Sequence, residues 1–386
     1  MRIAYVTETF PPEVNGVALT VARTVRHLRE RGHVVDLIRP RQPGDPVEPP
    51  SRAEWLTHGW PIPMYPDLRF GYASAGALRT HYRESRPDLV HIATPGPLGF
   101  EALRAARALN LPTSSDFRTN FHLYTRHYRL GAVASVVFAG LRWFHNRTER
   151  TFVPTKAGAR ELEAEGFRHL AVVGRGVDTL RFGPARRSAE LRREWQAVEG
   201  APVLLYVGRV AAEKNIELAL RAFDALRLKQ PSARMVVVGD GPLRESLQLT
   251  HPDVRFVGAK QGDDLATCYA SADLFVFPSL TETFGNVTLE ALASGLPVVA
   301  FNTAAAGEHV ENGRSGLLVA PADKAGFVDA VGTLGQQPDR LKAMGQSAVA
   351  AARRVRWDDV LGRFEAELQD TVDGHQAQLS AAPVVA

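Results

Sequence analysis

Two carboxylates, two cations and one helix start are the residues of this 386-residue chain whose types and spacing could do chemistry. Glu282 and Glu290 stand with seven residues between them and flank Phe284, Gly285, Asn286 and Val287. An ionised carboxylate only accepts hydrogen bonds, so both suit sugar hydroxyls rather than phosphates. Val287, Ala291 and Leu292 recur at helical spacing, and Gly295 with Pro297 stops that helix. Phe284, Gly285 and Asn286 therefore sit at its N-terminus, where backbone N–H groups and the helix dipole favour an anion such as a phosphate. Earlier in the chain, Gly208-Arg209 and Glu213-Lys214-Asn215 follow an apolar run. Arg209 and Lys214 are placed to clamp a diphosphate.

Such residues need elements to hold them. Apolar runs at 2–7, 34–38, 89–92, 113–115 and 152–153 read as strands with helices between them. The helix over 17–31 carries Val21, Val25 and Leu28 on one face and stops at Gly32. The pattern restarts with strands at 203–207, 235–238, 254–257, 274–277 and 298–301. Strands alternating with helices predict an α/β chain of two parallel-sheet units, with ligands bound beyond the strands' carboxyl ends. Residues 40–66 are Pro-rich and read as an irregular surface excursion. Residues 181–200 read as a polar linker, and the Ala- and Gln-rich end from about 374 as disordered.

The Glu282–Glu290 pair, with Thr283-Phe284-Gly285 and the run from Glu290 to Pro297, resembles the E-x7-E motif of retaining nucleotide-sugar glycosyltransferases of family 4. The segment from Gly208 to Lys214 is similar to that family's G-R-x(3–4)-E-K element, whose Arg and Lys hold the leaving diphosphate. The resemblance implies a GT-B fold, two Rossmann-like domains with parallel sheets facing across a cleft. It places an acceptor-binding domain at 1–175 and a nucleotide-sugar domain at 176–355. A helix at 356–372 would cross back, and 373–386 would form a disordered tail. It also implies a metal-independent, retaining transfer of mannose or glucose from a nucleotide-diphosphate sugar to a lipid or saccharide acceptor. No cofactor is expected, and the chain has no Asp-x-Asp pair to hold a divalent ion.

Carried over residue by residue, the resemblance makes Glu282, Arg209, Lys214 and Arg118 the catalytic group. Glu282 would hold sugar hydroxyls and Glu290 the ribose. Asn15, Gly16, Gly208, Gly239, Val257, Phe284, Gly285, Asn286 and Val287 would line the donor and acceptor sites. The wording Glu8-Thr9-Phe10 with Asn15-Gly16-Val17 looks closest to α-mannosyltransferases and glycolipid-forming enzymes, which favours GDP-mannose as donor and UDP-glucose next. Relatives usually carry histidine where this chain has Arg118. An arginine cannot share a proton with the sugar, its pKa being too high, so Arg118 is expected to touch phosphate or acceptor. His122 stays open as a substitute, and Asp116 as either a site residue or a salt-bridge partner. Gly174 to Asp178 with Arg181-Phe182 resembles the family's R-G-V-D-x-x-x-F segment, for which an architectural role is expected, with Gly176 and Val177 near the cleft.

Composition bounds the setting. A hydrophobic fraction of 45% is globular, and the sequence offers no apolar run of membrane-spanning length. A single cysteine, Cys268, and no signal-peptide pattern predict a cytoplasmic protein. Residues 1–170 carry 23 basic against 16 acidic side chains, and the remainder 23 against 26. The basic excess of the first half, concentrated at 118–150 around the apolar stretch 132–144, admits an anionic membrane surface on its inner face as well as a core helix with a solvated rim. No nucleic-acid recognition motif is present, and no nucleic-acid partner is expected. Two rivals stay open: a same-fold epimerase of UDP-amino sugars, and a non-catalytic nucleotide-sugar-binding protein.

Overall fold

The computed structural model describes residues 1–13, 16–45, 53–62, 65–117 and 131–381. They form two compact units: Met1–Gly174 with Val360–Ala386, and Arg175–Asp359.

The first unit holds an eight-stranded sheet in the order β4-β3-β2-β1-β5-β6-β7-β8. Its strands are β1 (Arg2–Val6), β2 (Val34–Pro40), β3 (Glu54–Ile62), β4 (Tyr65–Tyr72), β5 (Leu89–Ile92), β6 (Thr113–Asp116), β7 (Arg150–Val153) and β8 (Leu170–Val172). The run Ile3 to Val6 is wholly buried because both faces of β1 are covered. Alternation sends Ile3 and Tyr5 toward Val21, Val25 and Leu28 of the helix Gly16–Glu30. It sends Ala4 and Val6 toward Leu98, Ala102 and Leu103 of the helix Pro97–Ala108.

The second unit holds β9 (Val203–Val207), β10 (Arg234–Val238), β11 (Val254–Gly258), β12 (Leu274–Phe277), β13 (Val298–Phe301) and β14 (Gly316–Val319). Their order is β11-β10-β9-β12-β13-β14, all parallel. The winding direction reverses between β1 and β5 in one sheet and between β9 and β12 in the other. A ligand crevice opens at such a reversal.

Three expectations need correction. The Pro-rich excursion contains the β3–β4 hairpin, antiparallel at the sheet edge, with Pro61 opposite Arg69. Pro61 lies past Thr57, the last β3 residue paired with β2, so one side of its backbone has no ladder to complete. The supposed linker at 181–200 is packed structure, with a helix at Ala189–Glu194 and Trp195 buried. Two of its arginines are tied down: Arg187 and Arg192 donate to Asp273 at 2.6 and 2.9 Å. The expected tail is helical, since the last helix runs Trp357–Ala381. Phe364, Leu368 and Val372 bury one face of it in the first unit. Polar pairs continue the contact past 373, where His375 lies 2.9 Å from Glu149 and 3.0 Å from the Asn110 carbonyl.

Candidate functional site

In the second unit the chain leaves β9 at Gly208 and makes a short turn at Ala212–Lys214 before the helix Ile216–Lys229. Asn215 joins turn to helix in the left-handed region, φ 55°, which asparagine tolerates better than most residues. Its side-chain amide donates to the Pro278 carbonyl at 3.2 Å. Thr281 in turn donates its hydroxyl to the Glu213 carbonyl at 2.9 Å. These two bonds tie the loop after β9 to the loop after β12, the two strands that flank the reversal.

The charged groups meet across that tie. Lys214 Nζ donates to Glu282 Oε1 at 2.5 Å, and Ser279 Oγ donates to the same oxygen at 3.0 Å. Arg209 reaches Glu213 at 3.0 Å and stays half exposed. Lys214 and Glu282 are each only 17% exposed.

Beyond Glu282 the chain turns at Gly285, φ 88°, into the helix Asn286–Ala293. A Cβ at Gly285 would lie 3.3 Å from the Glu282 side chain, so glycine answers both the left-handed backbone and the close approach. Buried Phe284 anchors the turn. The N-cap residue, Gly285, has no side chain to cap this helix start. Glu290 lies further along the helix, where the Tyr269 hydroxyl donates to its Oε2 at 3.0 Å. Burial pushes the Glu290 carboxyl up to about 7, with the Tyr269 bond pulling the other way.

Gly208 and Gly239 bring the loops after β9 and β10 together. A Cβ on Gly239 would fall 1.9 Å from the Gly208 carbonyl oxygen, a backbone contact that cannot yield. Gly239 also donates to the Gly258 carbonyl, next to Val257 on β11, at 2.9 Å. These positions shape the crevice floor with backbone rather than side chains.

Sequence reasoning passed over Arg175. It is 8% exposed, its guanidinium sits 5.9 Å from the centre of the Phe284 ring, and Nη1 is 3.4 Å from Asn286 Oδ1. It follows that an arginine of the supposedly architectural segment stands at the start of the site helix. Nothing in a separation of 111 residues links Arg175 to Asn286. Neighbouring Gly176 does keep the architectural role, since a Cβ there would meet the Trp357 backbone at 2.5 Å.

In the first unit, Gly16 opens the helix Gly16–Glu30 beyond β1. Asn15, Arg118 and His122 lie outside the described residues. Asp116 is fully buried in β6, with Oδ2 3.3 Å from His91 Nε2.

Comparison with known proteins matches residues 14–181 to the profile "Glycosyltransferase Family 4" and residues 201–337 to "Glycosyl transferases group 1". The chain is 37% identical to a GDP-mannose-dependent alpha-mannosyltransferase of Mycobacterium tuberculosis, over 95% of this chain and 97% of that protein. It is 31% identical to a sulfoquinovosyl transferase of Arabidopsis thaliana, over 92% and 71% respectively. Among solved structures, a sucrose-phosphate synthase from Thermosynechococcus elongatus superposes with a TM-score of 0.74 at 19% identity, covering 97% of this chain and 99% of that one. WaaG, a glycosyltransferase involved in lipopolysaccharide biosynthesis, superposes with a TM-score of 0.69 at 17% identity, covering 94% and 98%. At that identity the two structures carry the fold alone, two Rossmann-like α/β domains of the GT-B type.

Proposed function

The chain belongs to glycosyltransferase family 4, and we propose that it moves mannose from GDP-mannose to a lipid or saccharide acceptor, with retention at the anomeric carbon and without a metal ion. One observation carries this reading. At the reversal of the second sheet, a helix start whose N-cap is Gly285 lies directly beside the Lys214–Glu282 pair. The N–H groups of Asn286 and Val287, with Lys214 and Arg209, would take the diphosphate, and cationic side chains there do the charge neutralisation a metal would otherwise supply. Glu282 would accept hydrogen bonds from the sugar's hydroxyls, and Glu290 from those of the ribose.

In the transfer step the bond from the sugar's anomeric carbon to the phosphate oxygen breaks, and its electron pair stays on the diphosphate. The acceptor oxygen bonds the anomeric carbon on the same face, and the acceptor proton passes to the leaving diphosphate. Relatives named for mannose transfer at 35–37% identity favour mannose. Relatives that move sulfoquinovose or form a glucosyl lipid leave UDP-glucose as the alternative donor.

A lipid acceptor would be met at an anionic membrane surface from the cytoplasmic side. No helix among the described residues is long and apolar enough to cross a membrane. The helix Gly131–His145 buries Leu141 and Phe144 but exposes Val136, Val137 and Trp143, with Arg147 stacked on Trp143. That mixture suits interfacial binding. The experiment is incubation with GDP-mannose and diacylglycerol-bearing anionic liposomes in EDTA. An α-mannosyl lipid, and protein that floats with the liposomes, are expected. A β-linked product removes retention, and turnover of donor without acceptor points to the epimerase.

A further inference from the structure

We propose that Tyr269 is a positioning residue of the donor site and holds the Glu290 carboxylate in place for the ribose, an assignment that rests on the ribose role given to Glu290 above. Tyr269 lies on the helix Gly262–Ser271 and is fully buried. Aromatic rings fix it on two sides. Phe182 makes a T-shaped contact at 5.7 Å, and Phe275 of β12 a tilted one at 5.7 Å. A tyrosine packed in this way has one polar atom, and a buried hydroxyl needs a partner. Its partner is Glu290 Oε2, at 3.0 Å.

The bond serves binding in two ways. A glutamate side chain is rich in rotamers, and ordering it at the moment of binding subtracts from affinity. Tyr269 pins one carboxylate oxygen from a ring that its neighbours hold still, so the side chain is oriented before a nucleotide arrives. The second way concerns charge. Burial favours the neutral form of Glu290, whereas a hydroxyl that donates to the carboxylate favours the ionised one. Ribose hydroxyls need that same ionised, accepting form. Among the described residues Tyr269 is the side chain that donates to it. Phe182 then has a task as well. It closes the segment for which the sequence implies an architectural role, and its buried ring backs the tyrosine at the ribose end of the site.

The test compares GDP with 2′,3′-dideoxy-GDP, which lacks both ribose hydroxyls, by calorimetry on the full chain and on Tyr269→Phe, Phe182→Leu and Glu290→Gln. The readout is the ratio of the dideoxy-GDP to the GDP dissociation constant. Tyr269→Phe keeps the ring and removes the hydroxyl, and it should lower this ratio about three- to tenfold, the worth of one hydrogen bond. Phe182→Leu loosens the ring without removing the hydroxyl and should lower it less. It also keeps the ratio readable if Tyr269→Phe fails to fold. A second readout is pH. Without the hydroxyl that pulls the Glu290 carboxyl down, the loss of GDP affinity on acidification should begin at higher pH in Tyr269→Phe than in the unaltered protein. A purely structural tyrosine would weaken both nucleotides together and leave the ratio and the pH midpoint where they were. An unchanged ratio in Tyr269→Phe and Phe182→Leu, with a reduced one in Glu290→Gln, overturns the assignment of Tyr269 alone. If the unaltered protein binds dideoxy-GDP as tightly as GDP, the ribose reading itself falls.

Discussion

In the first unit the helix Pro97–Ala108 begins beyond β5, and Glu8 from the loop after β1 lies on its first turn. Glu8 Oε1 accepts the Leu98 N–H at 2.8 Å. Burial pushes that carboxyl up to about 8, while N–H bonds from Leu98 and Gly71 pull it down. In the second unit the helix Asn286–Ala293 begins beyond β12, at the matching reversal of its own sheet. Here the N-cap residue, Gly285, has no side chain to offer, and the cations Lys214 and Arg175 stand nearby. One Rossmann-like unit sets a buried carboxyl on its helix start, and the other sets cations beside its own. The comparison separates the roles of the units better than strand order does: a carboxyl stands at one helix start and cations stand at the other.

The largest effect should come from removing the groups at the open helix start. Glu282→Ala and Lys214→Ala should each lower kcat/KM about 100- to 1000-fold, the range seen when one preorganised electrostatic partner is lost. Removing one partner of a pair whose side chains are each 17% exposed also lowers stability, so activity is read well below each variant's melting temperature. Steady-state kinetics alongside thermal denaturation reads both. Normal turnover in both variants would remove the site from this helix start.

The filled helix start should respond in the opposite way. A Cβ on Gly96 would fall 1.7 Å from Glu8 Oε2. Gly96→Ala should therefore expel the Glu8 carboxyl and uncap the helix, costing about 2 kcal/mol of stability. Its affinity for GDP-mannose should not change. A denaturant melt and a calorimetric titration check the two halves of this prediction, and lost donor affinity without lost stability would erase the contrast between the units.

A smaller effect lies in pH. The Glu290 carboxyl is raised to about 7, from an ordinary value of 4.5. Ribose hydroxyls need the ionised, accepting form, so donor affinity should fall as pH drops through that value. Between pH 8 and pH 6 the dissociation constant of GDP-mannose should rise about tenfold. The raised value also means that the fold favours protonated Glu290, a contribution present below pH 4.5 and lost as pH climbs through about 7. Glu290→Gln should flatten the affinity profile, and a profile unchanged by that substitution would take Glu290 out of donor binding.

Much of this was legible before the fold was seen, and the limits are physical. Strands with both faces buried, such as β5, β9, β12 and β13, announce themselves as short apolar runs. The β3–β4 hairpin did not, because Pro61 and Pro66 read as strand-enders although β3 is laddered to β2 only as far as Thr57 and β4 is the sheet edge. Charge misled at 181–200, where arginines typical of a solvated linker are satisfied by Asp273 and by carbonyls. Within the site, Glu282, Lys214 and Gly285 could be read because each sits in a local motif with a local job. Arg175 could not, because its contact with Asn286 exists only once the sheet has brought the start of the unit to the end of β12.

The central claim is that the open helix start binds a diphosphate with the protein's own cations. It is tested most directly by titrating GDP into the full chain by calorimetry, with and without excess EDTA. The account predicts one site per chain and the same dissociation constant in both titrations. Binding that disappears in EDTA would contradict it, and would hand the charge neutralisation to a metal ion in place of Lys214 and Arg209.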